Sequence, residues 1–235
     1  MRIGFSTGAI ARGNYRLALD ELRRYRVDVV ELSALRIKEL EPLVNDICNL
    51  DLSSFSFVSF HAPSYFEISE ENFVVSLLQK VTQQGIPVIV HPDSIYDFGL
   101  WREFGELLLI ENMDKRKTIG RTASELIQIF APLPAAGFCF DIGHARQVDP
   151  AMVESYKLLD EHGFRLKQVH MSEVNTASHH EPMSSYAIQA FQRVARMIPF
   201  DVPVILETLI DRGQSDVRTE INKAAEALAP HAVAS

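Results

Sequence analysis

Seven polar residues, Glu31, His61, His91, Glu111, Asp141, His170 and Glu207, each stand at or just past the end of a short apolar run. Most are separated by about one strand–helix unit, so they occupy equivalent places in successive units. Carboxylates gathered in a protein interior are costly unless they are paired or bind a cation. No lysine or arginine recurs at the same positions to pair them. A divalent cation resolves the conflict, and imidazole together with carboxylate suits zinc, manganese or iron, whereas calcium and magnesium prefer oxygen alone.

Taken singly, each residue has a plainer use. A strand-end histidine is more often a hydrogen-bonded structural group than a ligand. Asp141, in "GFCFDIGHA", could cap the helix that follows it, and Glu207, in "LETLIDRG", could be a solvated loop acid. The set argues otherwise, because independent structural uses would not recur at one position in successive units. Glu31 is kept outside the ligand set, with a structural or substrate-contact role. His162, near a helix end, and His231, in the tail, carry no site role and suit electrostatic support of helix C-termini.

The elements that must position these residues follow from the apolar runs "RIGFS", "DVVEL", "FVSFH", "PVIVH", "LLLIE", "FCFDIGH", "KQVHMS" and "PVILET". Runs that are apolar on both faces suit interior strands of a parallel sheet. Helical periodicity fills the gaps, most clearly in "SEENFVVSLLQKVTQQG", where Ser69 is the expected N-cap and Gly85 the stop. Eight such units predict an α/β fold, a single (β/α)8 TIM barrel over residues 1–235. An open doubly wound sheet is disfavoured, since the first strand leads into "STGAIARG", which lacks a Gly-rich phosphate loop. In a barrel the carboxyl ends of the strands converge on one mouth, where active sites are built.

Composition narrows the setting. The 235 residues carry a net charge of −8, from 31 acidic and 23 basic side chains, which opposes broad attraction to nucleic acid or anionic lipid. "DKRKTIGR" is the only basic run and reads as a solvated loop leading into a helix. No signal peptide or long apolar span is evident, so a soluble cytoplasmic protein is expected, with disorder confined to the tail "APHAVAS". Cys48 and Cys139 are expected to be buried, reduced thiols. A small-molecule substrate is expected, possessing a phosphoryl group in the preferred reading, and nothing in the sequence sets an oligomeric state.

The stretches "SFHAP", "VIVHPD", "LLIENMD", "FDIGHA", "VHMSEVN" and "VILETL" follow one another in an order that resembles the endonuclease IV and xylose-isomerase-like TIM barrel superfamily. In the endonuclease IV branch the resemblance implies a first metal on His61 and His91, with Glu111 bridging to a second metal held by Glu111, Asp141, His170 and Glu207. A third metal would use His144 and a histidine after strand seven, matched by His180, with His179 in the alternative register. Ser178 falls where the family has an aspartate, a departure that puts the third metal in question. In the isomerase and epimerase branch the resemblance implies one metal on Glu111, Asp141, His170 and Glu207, with Glu111 and Glu207 as the catalytic pair. The preferred expectation is a metal-dependent hydrolase of a small phosphoester or related molecule. A sugar or sugar-phosphate isomerase or epimerase comes next, followed by an abasic-site endonuclease or a metal-loaded binding module.

Overall fold

Each of the eight apolar runs forms a barrel strand in the computed structural model of the protein, which describes residues 1–210 and 216–229. His231 and the end of the tail lie outside the described residues. The strands are β1 (Ile3–Ser6), β2 (Val29–Ser33), β3 (Phe57–His61), β4 (Val88–Val90), β5 (Leu108–Glu111), β6 (Gly137–Asp141), β7 (Leu166–Met171), β8 (Glu173–Val174), β9 (His180–Glu181) and β10 (Val204–Leu206). The helices are α1 (Thr7–Ala11), α2 (Tyr15–Arg24), α3 (Ile37–Asp46), α4 (Glu71–Thr82), α5 (Phe98–Arg102), α6 (Ala123–Phe130), α7 (Ile142–Val148), α8 (Val153–His162), α9 (Ser185–Gln192) and α10 (Val217–Leu228).

β1 to β7 pair in parallel with their neighbours, and β10 closes the ring between β7 and β1. The chain therefore forms a (β/α)8 barrel. The short antiparallel pair β8–β9 is an excursion between β7 and α9, and it brings His180 back over the mouth. No helix among the described residues is long and apolar enough to cross a membrane.

Strand alternation explains both the core and the site. Val88, Val90, Leu108, Ile110, Phe138 and Phe140 belong to the large cluster between sheet and helices, whereas Ile89, Leu109 and Cys139 form a separate cluster. Because side chains alternate with a period of two, that second cluster faces the barrel axis. Two residues further along the same strands stand His91, Glu111 and Asp141, so the ligand-type residues form a polar layer above an apolar plug. The helices hold this plug in place from outside. α4 buries Val74, Val75, Leu77, Leu78 and Val81, and each such side chain contributes roughly 1.5–3 kcal/mol.

Three details correct the sequence reading. α4 begins after a 3-10 turn over Ile68–Glu70, so Ser69 is not its N-cap; Glu67 and Glu70 form a capping box around the turn instead. Cys48 is exposed, because it lies in the 3-10 turn that ends α3, while Cys139 is buried; both are free thiols. Glu31 does not share a level with the other strand-end residues. It pairs with Ser59, whereas Ser33 pairs with His61, so Glu31 lies one layer deeper in the barrel.

Candidate metal centre

The centre is built around Glu111, the last residue of β5, which is almost fully buried. Its Oε2 lies 3.2 Å from His61 Nε2 and 3.4 Å from His91 Nε2. Its Oε1 lies 3.4 Å from His170 Nδ1 and 3.3 Å from His144 Nδ1. The two oxygens of one carboxylate thus face two different groups of nitrogens. Glu111, Asp141, His170 and Glu207 each offer a ligand atom, and these atoms all lie within 4.8 Å of one another; His61, Glu111 and His170 form a second such group.

Buried polar atoms are normally hydrogen-bonded. Asp141 Oδ2, His170 Nδ1, Glu207 Oε2 and His91 Nδ1 are buried without a hydrogen-bond partner. Three of these belong to the Glu111 quartet, and their chemistry, two carboxylate oxygens and an imidazole nitrogen, fits a divalent transition metal or zinc.

Neighbouring groups set the orientation of the candidate ligands. Asp141 is both cap and candidate ligand: Oδ1 accepts from the His144 backbone N–H at 2.6 Å as the N-cap of α7, leaving Oδ2 toward the centre. Asn112 clamps the strand beneath it, donating from Nδ2 to the Asp141 carbonyl and accepting from its N–H, both at 2.8 Å. Gly143 lets α7 pack against the chain after β7, since a Cβ there would fall 2.4 Å from the Ser172 carbonyl oxygen. From the deeper layer, Glu31 Oε2 lies 2.9 Å from His170 Nε2 and accepts from Gln168 Nε2 at 2.7 Å. Against burial, surrounding carboxylates hold the His170 pKa well above its ordinary value; once it gives up a proton, a carboxylate at Nε2 selects the tautomer whose Nδ1 lone pair could meet a metal.

The electrostatics are those of acids and imidazoles forced together. Burial opposes the charge on Glu111, but His170, His144 and His61 outweigh it and hold the carboxyl well below its ordinary range. Burial likewise opposes protonation of His61, yet Glu111 and Glu31 carry its pKa up to about 9. His144 rises to about 10, burial being outweighed by Asp141 and Glu111. Glu207 is pushed up to about 8 by burial, with Glu111 and Asp141 adding repulsion against the pull of His170. His180 falls to about 3 through burial and the nearby His144, so it is a neutral imidazole around neutral pH.

His61, His91, Glu111, His144, His180 and Glu207 all line a cavity of about 320 Å³ at the barrel mouth, and Asp141 and His170 lie beneath it. His144 and His180 have ring centroids 5.5 Å apart. His180 Nδ1 hydrogen-bonds Ser172 Oγ at 2.7 Å, and exposed His179 also lines the cavity. Ser178 donates to Asp114 at 2.9 Å. Three of the four cations in the basic run have acidic partners: Arg116 pairs with Asp114, Lys117 with Asp93 and Arg121 with Glu125. His162 is buried against Phe130 and bonds the Ala123 carbonyl, joining α8 to α6. Asn112 and Gln168 escape a reading of strand ends alone, although Gln168 precedes His170 by the two residues that put both on one strand face.

A family model described as xylose isomerase-like TIM barrel matches residues 100–231. No curated protein matches the sequence. Among solved structures, endonuclease IV from Thermus thermophilus is 18% identical with a TM-score of 0.59, over 95% of this chain and 96% of its own. The 3-keto-D-glucoside 4-epimerase from E. coli is 11% identical with a TM-score of 0.63, over 97% and 98%. SacUVDE is 15% identical with a TM-score of 0.58, over 97% and 99%. At these identities the likeness is one of fold.

Proposed function

Because the chain belongs to the xylose isomerase-like TIM barrel family, we propose that it is a divalent-metal-dependent enzyme with a binuclear centre, hydrolysing a small phosphoester or a related small molecule. The observation that carries this reading is the Glu111 carboxylate, with Oε2 facing His61 and His91 and Oε1 facing His170 and His144. His61, His91 and Glu111 would hold one ion, and Glu111, Asp141, His170 and Glu207 the other, with zinc or manganese favoured and iron as the third choice. His144 and His180 stand where a further ion or the substrate would be met. When bound, such ions lower the pKa of water and stabilise phosphoryl and leaving-group charge.

The protein's own groups supply the rest. Glu31 orients His170, and Asn112 with the α7 cap fixes Asp141. Glu207, at the cavity edge, has its pKa pushed up to about 8 by burial in the metal-free centre, and as a ligand it would give up that proton when the ion binds. A small substrate fits a cavity of about 320 Å³ better than duplex DNA does.

The test is turnover by zinc- or manganese-reconstituted protein on 4-nitrophenyl phosphate mono- and diesters, beside Glu111→Gln. Hydrolysis that needs metal and is lost in Glu111→Gln supports the proposal. One observation favours a second reading, a sugar or sugar-phosphate isomerase or epimerase: the quartet of Glu111, Asp141, His170 and Glu207 is complete without His61 or His91. Turnover of keto sugars, with one tightly bound ion that survives His61→Ala, would replace the hydrolase by that reading.

A further inference from the structure

The cavity is two-sided, and its sides follow from the strand order. β1 lies between β10 and β2 in the barrel. The ends of these three strands and the segments after them supply Ser6 and Glu207 at the floor and, further out, Gly8 and Ala9 of α1, Leu35 and Leu209, all lining the cavity. The ends of β3 to β9 and the segments that follow them supply the histidines, Asp114 and Ser178. Leu35 and Leu209 are 40% and 44% exposed, although each borders a site rich in polar groups.

Their placement is fixed by backbone. A Cβ at Gly8 would stand 3.0 Å from Leu35 Cδ1, so α1 presses directly on that side chain. The Ile210 N–H donates to the Ala9 carbonyl at 3.0 Å, which ties the segment carrying Leu209 to the other edge of α1. Two branched apolar side chains thus flank one short helix and face open space above the ligand set. Among the described residues, none of those lining the cavity is a lysine or arginine. Among the described lining residues a second anionic group on a substrate would find no lysine or arginine on this side, whereas an alkyl or aryl group would bury apolar surface against Leu35 and Leu209.

The geometry points to a substrate with two unlike ends, resting on the metal-centred reading above: an oxygen-rich head at the histidine and carboxylate side, and an uncharged apolar substituent lodged against Leu35 and Leu209. In hydrolytic terms this is the ester of a small apolar alcohol or acid, not a bisphosphate or a polyol phosphate. Leu35 and Leu209 are then specificity-determining residues.

Alkylphosphonates separate head from tail. Zinc content is measured first, and the zinc-loaded protein is titrated calorimetrically with methyl-, butyl- and hexylphosphonate and with hexane-1,6-bisphosphonate. Affinity is expected to rise by about fourfold for each methylene that becomes buried, and the bisphosphonate is expected to bind more weakly than hexylphosphonate. The Leu35→Ser, Leu209→Ser double variant alters half-exposed side chains and so keeps the fold, which circular dichroism verifies. It should bind methylphosphonate as the parent does and lose most of the gain with chain length. Equal affinity for methyl- and hexylphosphonate, or tighter binding of the bisphosphonate, overturns the apolar end while leaving the metal reading intact. Failure to take up zinc overturns the metal reading, and the two-ended substrate with it.

Discussion

Asp141 shows how one side chain serves structure and chemistry together. Its Oδ1 caps α7, and its Oδ2 is buried without a hydrogen bond beside Glu111 and His170, 3.3 Å from His144 Nδ1. Asparagine caps helices about as well as aspartate but brings no negative charge to a cation. Asp141→Asn should therefore leave the metal-free melting temperature near that of the parent and weaken zinc binding by about 100-fold, an outer estimate for perturbed ligand shells. Scanning calorimetry and competition with a chelating dye measure the two effects separately. Glu31→Gln acts one step further out. It should weaken metal affinity by roughly 10- to 100-fold, because His170 loses the carboxylate that sets its tautomer.

Proton linkage belongs to the same scale. Glu207, at about 8, and His61, at about 9, hold protons at neutral pH in the metal-free centre. A ligand must lose its proton to bind a metal, so metal binding releases protons and affinity rises with pH while these two groups and His170, also raised well above its ordinary value, titrate. Zinc titrations at pH about 7 in buffers of different ionisation enthalpy should show release of one or more protons per chain. Proton uptake, or affinity that falls between about pH 6 and 9, would contradict the assignment of these two residues.

At the scale of elements, the chemistry depends on how closely α7 approaches the end of β7. Gly143→Ala would drive a Cβ to 2.4 Å from the Ser172 carbonyl oxygen and 2.9 Å from Val174 Cγ2. Overpacking of this sort costs about 1–3 kcal/mol, and here it would also tilt the cap that aims Asp141. Urea unfolding should report the stability loss, and the dye competition a parallel loss of metal affinity. The barrel strands were legible because their apolar residues face both the helices and the axis, and His61, His91, Glu111, Asp141, His170 and Glu207 because they follow those runs at a regular interval. Glu31 was misplaced by one layer, since inter-strand register is set by pairing with Ser59 and not by position along its own run. Ser69 failed as a cap because Glu67 and Glu70 cap each other first. Leu35 lies in no motif and Leu209 only ends "VILETL", and it is the closure of β10 onto β1 that brings their segments to the two edges of α1.

At the scale of the whole molecule, the barrel divides its interior into an apolar plug, a layer of buried acids and imidazoles, and a mouth bordered by Leu35 and Leu209. A ligand set of buried acids and imidazoles is held together at the expense of its own hydration, so a bound cation should stabilise the entire fold. Removing metal with a chelator should lower the melting temperature, and restoring zinc should raise it in a concentration-dependent way, as expected for a ligand that binds only the folded state. An unchanged melting temperature would mean that the centre binds no metal under those conditions.

The central claim is that Glu111 bridges two ions. A crystal of the zinc-loaded protein, with anomalous data collected on both sides of the zinc absorption edge, tests it most directly. The account predicts two peaks, one between His61, His91 and Glu111 and one among Glu111, Asp141, His170 and Glu207. A single peak in the quartet, unchanged in His61→Ala, would contradict the binuclear centre, and the absence of any peak would contradict the metal site itself.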